Sequence, residues 1–471
     1  MSAGARASVT PHGSEAVERA LSRLGDALRE PRSSAAICVY ALPAPVAPMA
    51  TLLARFAHEQ AALWEPCQGP ALAAIGATAQ ISASGTRRFR ELFDGASALW
   101  AGLETVNLSD DPAPAPRLLG GLAFQVGKSR EAPWTSFGDG AFVLPRLLYV
   151  RSAEHAHLCV ALAASVGSNE REALLEEVHA ALTALYSAPR SYHLRGRSPN
   201  TRIASTHERS AEDWAERVAA IRHGIAAGRL EKVVLARRVL LTLDPAPDPL
   251  EVLERLRDEA PHATRFAFRR GSCTFLGATP ERLLSKSGVL VETEALAGSQ
   301  RAGGAGSGAE LLGSRKDLAE HAIVVREVLR TLTPLCSELV CPGEPVVREL
   351  RHVQHLWTPI RARLRDPVHV LELVEKLHPT PAVGGVPRAD ALSWIAEHEP
   401  DERGWYAGPI GWFDAAGDGE FAVALRSGVL EGARADLYVG AGIVDESNAS
   451  SEYSETALKL RTLQLALGVA G

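Results

Sequence analysis

The sequence predicts a layered α/β or α+β fold. Two observations carry this. In the second half, β-rich runs at 232–243, 264–269, 274–276, 288–293, 409–413, 420–430 and 435–444 are interleaved with helical stretches. Strands gathered between helices bury their apolar faces as layers. The composition agrees: with 46% hydrophobic and 23% charged residues among 471, the chain can build a large core.

Taken in order, residues 1–12 read as a flexible tail. Ser14 can cap a helix to Arg29, with Val17, Leu21, Leu24 and Leu28 on one face. Short β-like runs follow at 36–42, 120–125 and 142–150, then a helix over 170–186. The polar stretch 187–207, with its prolines and arginines, is the best linker candidate. It divides an N-terminal half, 13–200, from a second region, 205–471. Ser210 and Asp213 resemble a capping box opening a helix that turns Trp214, Val218, Ile221 and Ile225 inward and stops at Gly228. Further helices are predicted over 315–332, 368–377, 388–397 and 450–467.

Several function classes are excluded on composition. A net charge of -6 argues against a general nucleic-acid binder. No apolar run approaches the ~20 residues that cross a bilayer. The first residues lack the apolar centre of a signal peptide, which points to the cytoplasm. The six cysteines are scattered without a CxxC pair, so neither a zinc site nor a disulfide framework is expected.

Chemistry concentrates near the C-terminus. Gly440-Ala441-Gly442 reads as a turn closing a β-run, with backbone N–H groups suited to an anion. Glu452, Glu455 and Lys459 then stand at i, i+3 and i+7, on one helical face. Asp317 and Glu320 share a face of another helix; alone, such a face is usually solvated. Together, these carboxylates without cysteine favour Mg²⁺ over Zn²⁺. Glu281, after a strand, is placed for acid/base work or simply exposed. Lys232 either marks the polar edge of its strand or, if desolvated, serves as a base. His378-Pro-Thr-Pro is a rigid turn. Arg426 lies in the alternating run from Phe421, where a charge needs a partner and an anionic ligand would serve. The glycine-rich 303–308 lacks the Gly-Lys-Ser/Thr of a phosphate loop and reads as a flexible loop or lid.

Together these segments resemble the chorismate-utilising enzymes, and among them isochorismate synthases. The resemblance rests on Glu-Lys-Val-Val-Leu-Ala-Arg (231–237), Gly-Ala-Thr-Pro-Glu-Arg-Leu (277–283), Ala-Leu-Ala-Gly-Ser (295–299) and Lys-Asp-Leu-Ala-Glu-His (316–321). It continues through His-Leu-Trp-Thr-Pro-Ile (355–360), His-Pro-Thr-Pro-Ala-Val-Gly-Gly (378–385), Trp-Tyr-Ala-Gly-Pro-Ile-Gly-Trp (405–412) and the C-terminal Gly-Ala-Gly-Ile-Val with its acidic helix. It covers 205–471 and, more weakly, Gly120-Gly121-Leu-Ala-Phe.

The resemblance implies one large domain, with two stacked antiparallel sheets inside outer helices and strands contributed by the N-terminal half. It implies Mg²⁺ on Glu320 and Glu455, supported by Asp317 and Glu452. Lys232 would be the base that activates water toward ring carbon 2 of chorismate, and Glu281 the acid that protonates the hydroxyl leaving carbon 4. Gly298, Ser299, Gly440 and Lys459 would line the metal-bound carboxylate. Arg426, Ala382 and His355 would contact the rest of the substrate.

Within the family, Ala297 stands where amine-forming members often carry a nucleophilic lysine. Salicylate synthases, the alternative, tend to place Thr where this chain has Ala382. A non-catalytic acid-binding paralogue is the other reading, opposed by the joint presence of Lys232, Glu281, Glu320 and Glu455. Ser299 replaces the usual Thr and keeps the hydroxyl. The 378–385 and 405–412 segments look more like the menaquinone-type than the siderophore-type enzyme. The family implies a monomer or weak dimer.

Overall fold

The computed structural model describes residues 11–30, 35–127, 131–189, 201–303 and 307–469. The expected tail therefore lies outside the described residues except for positions 11 and 12, which belong to the first helix, Pro11–Arg29. The centre of the linker candidate and residues 304–306 of the glycine-rich loop also lie outside them.

Among the described residues, thirteen strands form one sheet and ten form the other. The second half contributes most of the site-bearing strands, but both halves build both sheets. Ala61–Glu65 pairs with Thr264–Arg270 in the first sheet, and Arg117–Leu122 pairs with Pro409–Asp414 in the second. These pairings are antiparallel. At the edge of the first sheet, Ile37–Ala44 and Leu103–Asn107 run parallel.

Side-chain alternation explains the layers. On Thr264–Arg270, Phe266 and Phe268 face the second sheet while Ala267 faces the other way. Phe142, Phe275, Trp405, Phe413 and Phe421 join that inner core. Each fully buried side chain of this size contributes about 1.5–3 kcal/mol relative to exposure. The outer face of the first sheet is covered by Pro11–Arg29, Ser168–Tyr186, Pro249–Glu259 and Ala449–Leu467. Arg88–Ala101, Arg315–Leu332 and Val370–Leu377 pack on the second sheet through Leu92, Val324 and Leu373. Among the described residues no helix is long and apolar enough to cross a membrane.

The structure corrects two predicted strands. Residues 142–150 are two strands in different sheets: Gly140–Leu144 in the second and Leu147–Arg151 in the first. Pro145, which lacks a ladder donor, stands between them. Residues 420–430 likewise divide into Gly419–Val423 in the second sheet and Ser427–Glu431 in the first. A third crossing, at Pro280-Glu281, joins Cys273–Thr279 to Arg282–Ser287.

The last two crossings are bonded to each other. The Val423 amide donates to the Glu281 carbonyl at 3.1 Å, and Thr279 Oγ1 donates to the Val423 carbonyl at 2.6 Å. The Ala278 amide donates to the Arg426 carbonyl at 3.3 Å.

Candidate active site

The joined crossings form one wall of a pocket. Glu281 is 5% exposed, and its carboxyl is pushed up to about 8. Burial is the main cause, with Glu294 adding to it; Lys232, Lys459 and Arg426 oppose. Arg426 is at the break between strands, not within one as the sequence predicts. Its φ of 48° is a left-handed conformation that costs a non-glycine residue about 1–2 kcal/mol. Its Nη2 donates to His355 Nε2 at 3.2 Å, and among the described residues it has no ion-pair partner. Burial lowers the guanidinium to about 10, so it stays charged at neutral pH.

A bulge shapes the neighbouring wall. Leu290–Arg301 pairs with Val353–Leu364, and the register slips between Ala297 and Ser299. Gly298, at φ 74°, is the extra residue; a side chain there would be strained and 3.0 Å from Asp317 Cβ. The bulge turns the Gly298 carbonyl and Ser299 toward His355. Ser299 Oγ is 3.0 Å and the Gly298 carbonyl 3.3 Å from His355 Nδ1. Arg426 can only donate, so Nε2 must accept and the ring proton sits on Nδ1. Burial, then Arg426 and Lys459, hold His355 well below 6.5, so the ring is neutral.

The opposite wall is ionic. Lys232 opens the strand Lys232–Asp244 and is fully buried, not an exposed strand edge. Its Nζ is 2.8 Å from Glu320 Oε1, an ion pair without good hydrogen-bond alignment. Burial pushes Glu320 up, but Lys232, Lys459 and Lys316 outweigh it and hold the carboxyl below its ordinary value.

Gly442 makes room for this pair. A Cβ there would be 2.3 Å from Glu320 Oε1 and 2.8 Å from Lys232 Cε. This corrects the reading of 440–442 as a turn: these residues are in the strand Arg434–Ile443, paired with Val234, Leu235 and Ala236. Their glycines serve close approach, not chain reversal.

Along the C-terminal helix, Lys459 pairs with Glu455 at 2.6 Å and donates to the Gly440 carbonyl at 3.2 Å. Buried Glu452 pairs with Lys316 at 2.5 Å. Asp317 bonds to the helix cap Ser314. Burial raises both Asp317 and Glu452.

Among the described residues, no three His, Cys, Asp or Glu side chains form a ready metal cage. The donor set nevertheless suits a hard cation. It is all carboxylate, and the Lys316 ammonium lies in the combined field of Glu452, Glu320 and Glu455. Lys316 touches Glu452, and the field of Glu320 and Glu455 favours its positive charge.

The pocket encloses about 690 Å³, its mouth included. Glu281, Gly298, Ser299, Glu320, His355, Ala382, Arg426, Gly440 and Lys459 all line it. Lys232 and Glu455 are outside the lining, each paired with a residue in it, Glu320 and Lys459. Asp317 and Glu452 stand outside the lining. Sequence reasoning missed Tyr406, Tyr438, Arg403 and Gly442 as lining residues. Tyr406, raised to about 12 by burial, stacks on Tyr438 with ring centroids 5.4 Å apart. Its signal was the 405–412 segment, where an aromatic beside Gly-Pro equally suits a core.

A pocket with buried acid, amine and guanidinium, set between two antiparallel-rich sheets, suits a small acidic ligand. The chain belongs to the chorismate binding enzyme family, whose model matches residues 22–468. It is 40% identical over 361 residues to isochorismate synthase MenF of Bacillus subtilis, covering 76% of this chain and 75% of that one. It is 38% identical over 417 residues to the salicylate biosynthesis isochorismate synthase of Pseudomonas aeruginosa, covering 86% of each. MenF, the menaquinone-specific isochorismate synthase from Escherichia coli, superposes with a TM-score of 0.78 at 25% identity, covering 96% of this chain and 100% of that one. Anthranilate synthase component I from Streptococcus pneumoniae shares the fold, with a TM-score of 0.67 at 20% identity, covering 84% and 92%.

Proposed function

We propose that the protein is an isochorismate synthase, an isomerase that converts chorismate to isochorismate with Mg²⁺. The observation that carries this reading is a buried carboxyl pushed up to about 8, Glu281, electrostatically coupled to a buried lysine, Lys232. Groups with such different environments divide acid and base roles between them.

Glu320 and Glu455 would hold Mg²⁺, with Asp317 and Glu452 supporting them. When bound, the cation offsets and orients a substrate carboxylate. Gly298, Ser299, Gly440 and Lys459 surround that end. Arg426, without an ion-pair partner among the described residues, offers a charged donor to the second carboxylate, with His355, Tyr406 and Ala382 beside it.

Lys232 takes a proton from water as the oxygen bonds to ring carbon 2. A lysine accepts a proton only through a free lone pair, so Lys232 would act in this step as the neutral amine. Glu281 gives its proton to the hydroxyl at carbon 4, which leaves as water while the ring double bonds shift. One water enters and one leaves, so the product is an isomer. Ala297 offers no nucleophile for an amine route. The protein acts in the cytoplasm on a soluble acid, as a monomer or weak dimer, without nucleic acid or membrane.

Product chromatography tests this reading. Purified protein with chorismate and Mg²⁺ should form isochorismate without pyruvate, and EDTA should stop it. Stoichiometric pyruvate with salicylate would make the protein a salicylate synthase. Unchanged chorismate would overturn the catalytic roles.

A further inference from the structure

A second cleft lies behind the wall that carries Glu281, and Pro280 borders both it and the substrate pocket. It contains Glu294, whose side chain is only 9% exposed. Both oxygens of Glu294 are occupied. Oε1 accepts from the Arg282 amide at 2.9 Å and from Arg348 Nη1 at 3.1 Å. Oε2 accepts from Trp357 Nε1 at 2.7 Å and pairs with Arg348 Nη2 at 3.1 Å. Arg348 Nη1 also donates to the Pro280 carbonyl at 3.1 Å, and its guanidinium stacks 4.3 Å from the Trp357 ring centroid. The ion pair therefore grips the carbonyl just before Glu281 and the amide just after it.

We propose that Glu294 is a positioning residue for Glu281, with Arg348 as its partner: the pair fixes both flanking peptide groups and so aims the Glu281 carboxyl into the pocket. This rests on the reading of Glu281 as the general acid. No step of the reaction touches Glu294 itself.

The pair also has an electrostatic consequence. Glu281 faces Glu294 from the strand Leu290–Arg301, Lys232 from the strand Lys232–Asp244, Lys459 from the helix Ala449–Leu467, and Arg426 from the adjoining crossing. Tyr406 and His355, also in the pocket, are uncharged at neutral pH. Glu320, the other anion in the pocket lining, is paired with Lys232. Glu294 is the anion that acts most on Glu281, set against three cations, and it adds to burial in keeping Glu281 protonated.

The test is the pH profile of kcat/KM for Glu294→Gln, Glu294→Asp and Arg348→Gln, beside Glu281→Gln. Removing the anion should move the basic limb to lower pH by roughly one unit. Removing the guanidinium should move it to higher pH. Both should lower kcat about tenfold or more, as loosened positioning does, with KM nearly unchanged. Glu294→Asp keeps the charge and should return the limb toward wild type; it also decides the matter if Arg348→Gln does not fold. An unmoved limb in Glu294→Gln, with or without lost activity, would overturn the proposal. Full turnover in Glu281→Gln would instead overturn the underlying acid assignment.

Discussion

Glu281 and Glu320 stand on different walls of one pocket, both withdrawn from water, and they carry opposite protonation. Glu281, on the sheet crossing, is pushed up to about 8 by burial and then by Glu294. Glu320, on the helix Arg315–Leu332, meets the same desolvation but is held below its ordinary value by Lys232, Lys459 and Lys316. Burial alone would raise both. The ammonium 2.8 Å from Glu320 reverses the sign. In this pocket a backbone crossing presents an acid, and a lysine-paired helix carboxyl presents an anion.

The largest break in this comparison is to silence the acid or the amine. Glu281→Gln keeps the shape without the proton and should lower turnover about 10²–10⁴-fold with an unchanged circular dichroism spectrum. Lys232→Ala should fall as far; full activity there would remove it as the base. Glu320→Gln strips the other wall of a carboxylate and of Lys232's counter-charge. A Mg²⁺ titration should then show half-maximal turnover shifted upward, about 10–100-fold.

Gly442→Ala attacks the same wall sterically, since its Cβ would be 2.3 Å from Glu320 Oε1. Overpacking should cost about 1–3 kcal/mol in a denaturant melt and reduce turnover as well. The pH profile sharpens the acid side. Glu281 keeps its proton below about 8 and loses it above, so kcat/KM should fall as pH rises through that value. A profile flat to high pH would remove Glu281 as the acid. Ala382→Thr should have the smallest effect: isochorismate remains the main product, with pyruvate release rising above the wild-type background.

The helices that the sequence predicts were legible, although Ser14 is inside Pro11–Arg29 and not its cap, and Arg88–Ala101 and Pro249–Glu259 were not predicted. Ser210 and Ser314 cap their helices, and the predicted 315–332 is the observed Arg315–Leu332. The acidic faces of the two helices were legible for the same reason: i, i+3 spacing is a local property. The sheet crossings were not. Alternation has a period of two in either sheet, so 142–150 and 420–430 read as unbroken strands. Arg426 consequently read as a strand residue, although it is at a corner in a left-handed conformation. Gly440 and Gly442 read as a turn because glycine is common there. The clash that requires Gly442 comes from Lys232 and Glu320, both more than a hundred positions away in the chain.

The covalent order by itself determined most of the helices and their faces, the alternation of the strands, and the family resemblance carried by their segments. Each depends on neighbours within a few residues, where geometry is set by the helix or the pleat. Tertiary structure alone decided which sheet each strand joined, where Glu281 and Arg426 turned inward, and which carboxyl held its proton. Protonation follows from burial and from charges a few ångströms away. Here those charges are Glu294 for Glu281 and Lys232 for Glu320, and only folding brings Lys232 beside Glu320.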